Sequence, residues 1–83
     1  MPIHGTIEHI DRGVVHAHFH GNRKLRPGTR VDVHHQFLTG WAPIGQMQVV
    51  TSTQGSADLR PLGTLRLAKV ARGDRIVAAA ETP

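Results

Sequence analysis

Along Val14-Val15-His16-Ala17-His18-Phe19-His20 the side chains alternate strictly. Val15, Ala17 and Phe19 fall on one side of an extended chain, and Val14, His16, His18 and His20 fall on the other. One face is apolar and the other is almost entirely imidazole, which predicts a half-buried β-strand. The same period of two recurs elsewhere. A first strand is predicted over Ile3–Ile10, and Asp11-Arg12-Gly13 supplies turn chemistry before the second. A third strand covers Thr29–His34, with Val31 and Val33 inward and Arg30, Asp32 and His34 outward. A fourth covers Ile44–Thr53, where Met47 and Val49 share a face. Leu65, Leu67 and Lys69 alternate with Arg66, Ala68 and Val70 as a fifth strand, and Arg75–Ala79 forms the sixth.

The connections are read from their breakers. Pro27 and Gly28 fit the two central positions of a type II turn. Residues 35–43 hold Phe37, Leu38 and Trp41 between Gly40 and Pro43, and are read as a loop packed by its own aromatics. Residues 54–58 read as a turn, residues 59–63 as a connector, and Arg72-Gly73-Asp74 as a turn before the last strand. Leu25–Val31 and Val70–Ile76 resemble each other weakly, each a turn glycine followed by a polar residue, an arginine and a β-branched residue. Six short strands in so small a chain point to an all-β fold, a six-stranded closed or partly open β-barrel, because a flat sheet would expose apolar edges. The expected organisation is one domain over residues 1–83, with a tail that frays from about residue 80.

Composition narrows the function classes. Ten Lys and Arg against 6 Asp and Glu leave a net charge of +4, and 7 histidines add to it when protonated. The absence of cysteine excludes disulfides, thiolate nucleophiles and cysteine metal sites. The longest apolar run, residues 76–80, is far short of the ~20 residues of a bilayer span. No export signal is visible at the N-terminus, so a cytoplasmic location is the default and an envelope location follows if the chain is an excised domain. Ser52 and Ser56 lack a nucleophile-elbow setting, and no glycine-rich phosphate loop carries a lysine. A non-enzyme is expected.

Gly5-Thr6-Ile7, Gly13-Val14-Val15, Leu25–Val33, Pro43–Val50 and Arg72–Ile76, in that order, give the chain a pattern that resembles the small β-barrel module at the C-terminus of flagellar assembly protein T and in related bacterial envelope proteins. That resemblance implies a non-catalytic assembly or interaction module. It carries no functional residue over to a numbered position here, and this chain departs from it in histidine content and basicity.

The chemistry of the remaining candidates is specific to this chain. His16, His18 and His20 share a strand face, with adjacent members ~7 Å apart by strand geometry. Zinc, copper or nickel would accept two of them together with a ligand from a neighbouring strand. His34 is the leading candidate, His4 and His9 are further histidines, and Glu8 and Asp32 are carboxylate alternatives. The simpler reading makes them the solvated half of the alternation. Arg23, Lys24 and Arg26 crowd one loop, as phosphate-binding residues of small barrels do, or as residues that meet an acidic partner protein. Trp41 joins them as a stacking residue in a nucleic-acid reading, and otherwise plugs the open end of the barrel. The leading expectation is a binding or assembly module acting through protein–protein contacts. Self-association into a homo-oligomer is expected of a marginal core and any strand edge left open. Nucleic acid and a histidine-bound metal are the alternatives.

Overall fold

The computed structural model describes residues 3–21 and 24–78. Six strands, β1 (Ile3–Asp11), β2 (Val14–Phe19), β3 (Arg30–Phe37), β4 (Gly40–Thr53), β5 (Ser56–Pro61) and β6 (Arg75–Ala78), form a closed antiparallel barrel in the order β1-β2-β5-β4-β3-β6. No helix among the described residues is long and apolar enough to cross a membrane. The tail expected to fray from about residue 80 lies outside the described residues.

The predicted alternation holds where it was clearest. Val15, Ala17 and Phe19 of β2, Val31 and Val33 of β3, and Met47 and Val49 of β4 are all buried, with Ile3 and Ile7, Ala57 and Leu59, and Ile76 and Ala78 completing the interior from the other strands. A fully buried side chain of this size contributes about 1.5–3 kcal/mol, so this single core carries the stability of the domain. Three of the predicted turns also form, the one at Arg72-Gly73-Asp74 with the Asp74 N–H donating to the Ala71 carbonyl at 3.1 Å. Arg12 and Gly13 both have positive φ, 50° and 80°, the backbone of the tight hairpin turn whose twist matches its strands. Arg26-Pro27-Gly28-Thr29 closes through a Thr29 N–H to Arg26 carbonyl bond of 3.1 Å.

Three expectations fail. The fifth strand is not Leu65–Val70 but Ser56–Pro61, the stretch read as turn and connector. Its apolar positions are only Ala57 and Leu59, and Pro61 is tolerated because it stands at the strand's end, opposite Met47. Residues 67–69 instead form a single 3₁₀ turn, and Leu65 and Val70 beside it close one end of the barrel. Leu25 closes the other, its N–H held by Ser52 Oγ at 3.1 Å. Trp41 plugs neither end. Residues 35–43 are not a loop: β3 and β4 keep pairing from His34–Pro43 out to Phe37–Gly40.

That last pairing shapes the molecule. On one side, β3 pairs with β6 only as far as His34–Arg75, and on the other, β4 pairs with β5 only from Met47 onward. Beyond those points β3 and β4 pair with each other alone, as a two-stranded ribbon rising from the barrel rim. Register shifts leave Glu8, Ile44 and Val50 as extra residues in their strands. Such bulges bend and twist a strand, and the two in β4 let one strand serve the ribbon with one half and the barrel wall with the other.

Candidate functional site

His16, His18 and His20 do face outward from β2, but each meets different neighbours. His16 stands between His9 of β1 and Asp58 of β5. Its Nδ1 is 2.5 Å from Asp58 Oδ1, the His9 ring stacks on it at 4.3 Å, and Thr51 Oγ1 donates to Asp58 Oδ2 at 3.1 Å. The result is a polar row running across β1, β2, β5 and β4. The bulge at Glu8 brings His9 into this row by placing two successive residues on the outer face. His18 faces Glu8, Nδ1 to Oε1, at 3.7 Å. His20 is exposed, and its backbone N–H donates to His4 at 2.9 Å. His34 lies on β3, which pairs with β4 and β6, whereas β2 pairs with β1 and β5. It belongs to another part of the barrel wall and does not complete a ligand set with the β2 histidines. Among the described residues, no three His, Asp or Glu side chains gather as a metal ion would require. Asp58 was missed because it fell in the stretch read as a turn.

The basic loop and Trp41 are also separated. Lys24 and Arg26 are exposed between β2 and β3, and Arg23 lies outside the described residues. Their loop packs through Leu25 onto Ser52, near the C-terminal end of β4, while Trp41 is at the N-terminal end of the same strand. Phosphates tracked by the loop would lie at the opposite end of the barrel from the ring meant to stack their bases.

The structure instead brings together residues at the ribbon. Trp41, opposite Gln36 on the ribbon's outer side, is 38% exposed and carries the Arg75 guanidinium over its ring at 4.3 Å. Phe37 is 48% exposed and Leu38, at the tip, is fully exposed. Phe37 packs edge-on to His35, with centroids 4.9 Å apart. Between the ribbon and the Thr64–Lys69 segment lies an open groove of about 520 Å³. Its apolar lining includes Phe37, Ile44 and Leu65, and its polar lining includes His35, Arg66 and Lys69.

His35 is fixed from behind. Asp74, 3% exposed and the one buried charged residue among those described, holds His35 Nδ1 at 2.6 Å through Oδ1 and accepts the Ala71 N–H at 2.9 Å through Oδ2. Both carboxylate oxygens are used, so burial leaves neither unsatisfied. With Nδ1 occupied, the remaining polar atom of the ring is Nε2. No sequence signal marked this pair: its members are 39 residues apart, and Asp74 read as a turn residue.

No known protein decides the matter. Comparison of the chain with protein-family models, with curated proteins and with solved structures finds no match. The ribbon, its groove and the Asp74-held imidazole are therefore weighed on their own chemistry.

Proposed function

We propose that this protein is a non-catalytic binding module that engages a protein partner through the β3–β4 ribbon and the groove beneath it. The observation that carries this reading is the placement of scarce large apolar side chains. The chain has two Phe and one Trp; Phe19 fills the core, while Phe37 and Trp41 are spent with Leu38 on an exposed projection. Aromatic residues on a protruding, cation-flanked surface are what protein interfaces concentrate. The ribbon also keeps open strand edges, whose backbone groups can pair with another chain. The resemblance to an assembly module points the same way.

Self-association uses the same surface in this reading, but Arg66, Lys69 and Arg75 surround it, and two copies meeting there would oppose like charges. A partner carrying acidic residues is favoured over a second copy.

Leu38→Asp separates binding from folding, because the tip side chain is fully exposed in the subunit. The expected result is a melting temperature within about 4 °C of the parent, since such surface changes cost at most about 0.5 kcal/mol. A photo-crosslinking amino acid at position 38, in the cells that make the protein, should give one protein adduct of defined mass. The adduct should weaken at least tenfold with Trp41→Ala, and the same probe at Thr51 on the barrel wall should give none. Equal labelling from both positions, or none from either, would refute the module. Sedimentation velocity of the purified protein across a hundredfold concentration range identifies self-association, expected to be absent or weak.

A further inference from the structure

We infer that the groove between the ribbon and the Thr64–Lys69 segment binds an acidic, apolar peptide segment of the partner, with one carboxylate held jointly by Arg66, Lys69 and the Nε2–H of protonated His35. The inference rests on the module reading above and names the chemistry its partner must carry.

The lining specifies both halves of the ligand. Phe37, Ile44 and Leu65 offer an apolar floor, which selects side chains such as Leu or Phe. Arg66 and Lys69 stand on the same wall, and among the described residues neither has an ion-pair partner. Asp74, the buried carboxylate behind His35, has both oxygens engaged. The site therefore presents two uncompensated cations beside an apolar surface, which a segment alternating acidic and apolar residues complements. Nucleic acid fits less well. Among the described residues, Phe37 is the only Phe, Tyr or Trp lining the groove, and one face of the Trp41 ring is covered by Arg75.

His35 makes the site proton-linked. While its Nδ1–H donates to Asp74, a neutral ring has only a lone pair at Nε2 and repels a carboxylate; a protonated ring offers Nε2–H. Carboxylate binding at Nε2 thus takes up a proton, and by linkage affinity must fall as pH rises. The charged groups facing this ring are Asp74 behind it, from the turn before β6, and Arg66 and Lys69 across the groove. A bound carboxylate offsets the cations, so ligand and proton reinforce each other.

The test uses the intact protein and three blocked peptides, N-acetyl-Leu-Phe-Glu-Leu-amide and its Gln and Lys counterparts, titrated by NMR at about pH 5.5 and about pH 8. The Glu peptide is expected to shift Leu65 and Ile44 methyl signals saturably. It should bind at least tenfold more tightly than the Gln peptide at the lower pH, and severalfold less tightly at the higher. Arg66→Glu with Lys69→Glu, both exposed, should reverse the preference to the Lys peptide. His35→Asn places an amide N–H where Nδ1–H was, so it keeps the bond to Asp74 but has no Nε2; it should abolish the pH dependence while leaving the fold intact by its methyl spectrum.

Equal affinity for the three peptides, or a pH dependence unchanged in His35→Asn, would overturn the inference. Sedimentation with vesicles of phosphatidylcholine and phosphatidylserine, abolished by Leu38→Asp and with no Glu-peptide binding, would overturn it in favour of an anionic membrane surface. If the peptides fail while the position-38 crosslink persists, the groove assignment falls and the module stands; if the crosslink also fails, the module falls with it.

Discussion

Gly5→Ala is expected to lower the melting temperature by roughly 10–20 °C, although it adds one methyl group to a strand. Gly5 is buried in β1, between Phe19 of β2 and Ile76 of β6. A Cβ there would come within 2.7 Å of the His18 carbonyl oxygen, 2.7 Å of Phe19 Cδ1 and 3.1 Å of Ile76 Cγ1. The phenyl ring could turn at some cost to its packing, but the carbonyl belongs to the paired strand and moves only if the barrel opens. Overpacking of this kind costs typically 1–3 kcal/mol and occasionally more, and a contact with backbone places Gly5→Ala near the top of that range. Each kcal/mol is worth about 4–8 °C in a domain of this size. Gly13→Ala is the matched control. A methyl group there meets nothing within 4 Å, and only its φ of 80° resists substitution, at about 1 kcal/mol. Thermal melts of the two variants should differ by about twofold or more in their shifts. Equal shifts would mean that the Gly5 wall relaxes freely and is not the tight seam between β1, β2 and β6.

Asp74→Ala should be comparably damaging, for a polar reason. Its two oxygens receive His35 Nδ1 at 2.6 Å and the Ala71 N–H at 2.9 Å from a buried position. Removing them strands two donors; both are part-exposed, so each lost bond costs about 1.5 kcal/mol, the low end for a bond to a charged acceptor. A total near 3 kcal/mol lowers the melting temperature by roughly 10–20 °C. Asp74→Asn separates the loss of the contact from the loss of the charge. Its oxygen still accepts from Ala71, and its amide donates to His35 Nδ1, which then takes the tautomer with hydrogen on Nε2. About 1 kcal/mol should be lost, and the imidazole nitrogen spectrum of His35 should show the exchange of tautomers. Identical losses for Ala and Asn, or an unchanged His35 spectrum in Asp74→Asn, would contradict the role assigned to this pair.

Most of the barrel wall was legible because a half-buried strand records its two environments every second residue. Val15-Ala17-Phe19, Val31-Val33 and Met47-Val49 all point inward as the alternation requires. Where the record is short or mixed it misleads. β5 has only Ala57 and Leu59 between Gly55 and Pro61, two residues that usually end strands. Leu65 and Val70 carry an alternation like that of a strand but are buried from a connection, because the open end of a barrel needs apolar plugs as much as its wall does. Phe37, Leu38 and Trp41 looked like a self-packed loop because large apolar residues usually find cover; here the strands continue past the barrel and carry them into the open.

The candidate site was much less legible. The sequence by itself determined which residues face out: the histidines of β2, and Arg30, Asp32 and His34 of β3. Which outward residues meet was decided only by tertiary structure. Closure in the order β1-β2-β5-β4-β3-β6 places Asp58 beside His16 and puts His34 on strands away from it. The bulge at Glu8 brings His9 into the same row, and the turn before β6 delivers Asp74 to His35 from 39 residues away. A period of two fixes the side of the sheet a residue occupies, but it carries no information about which strand lies alongside. Neighbours are set by the barrel's closure and by its bulges, which depend on all six strands at once.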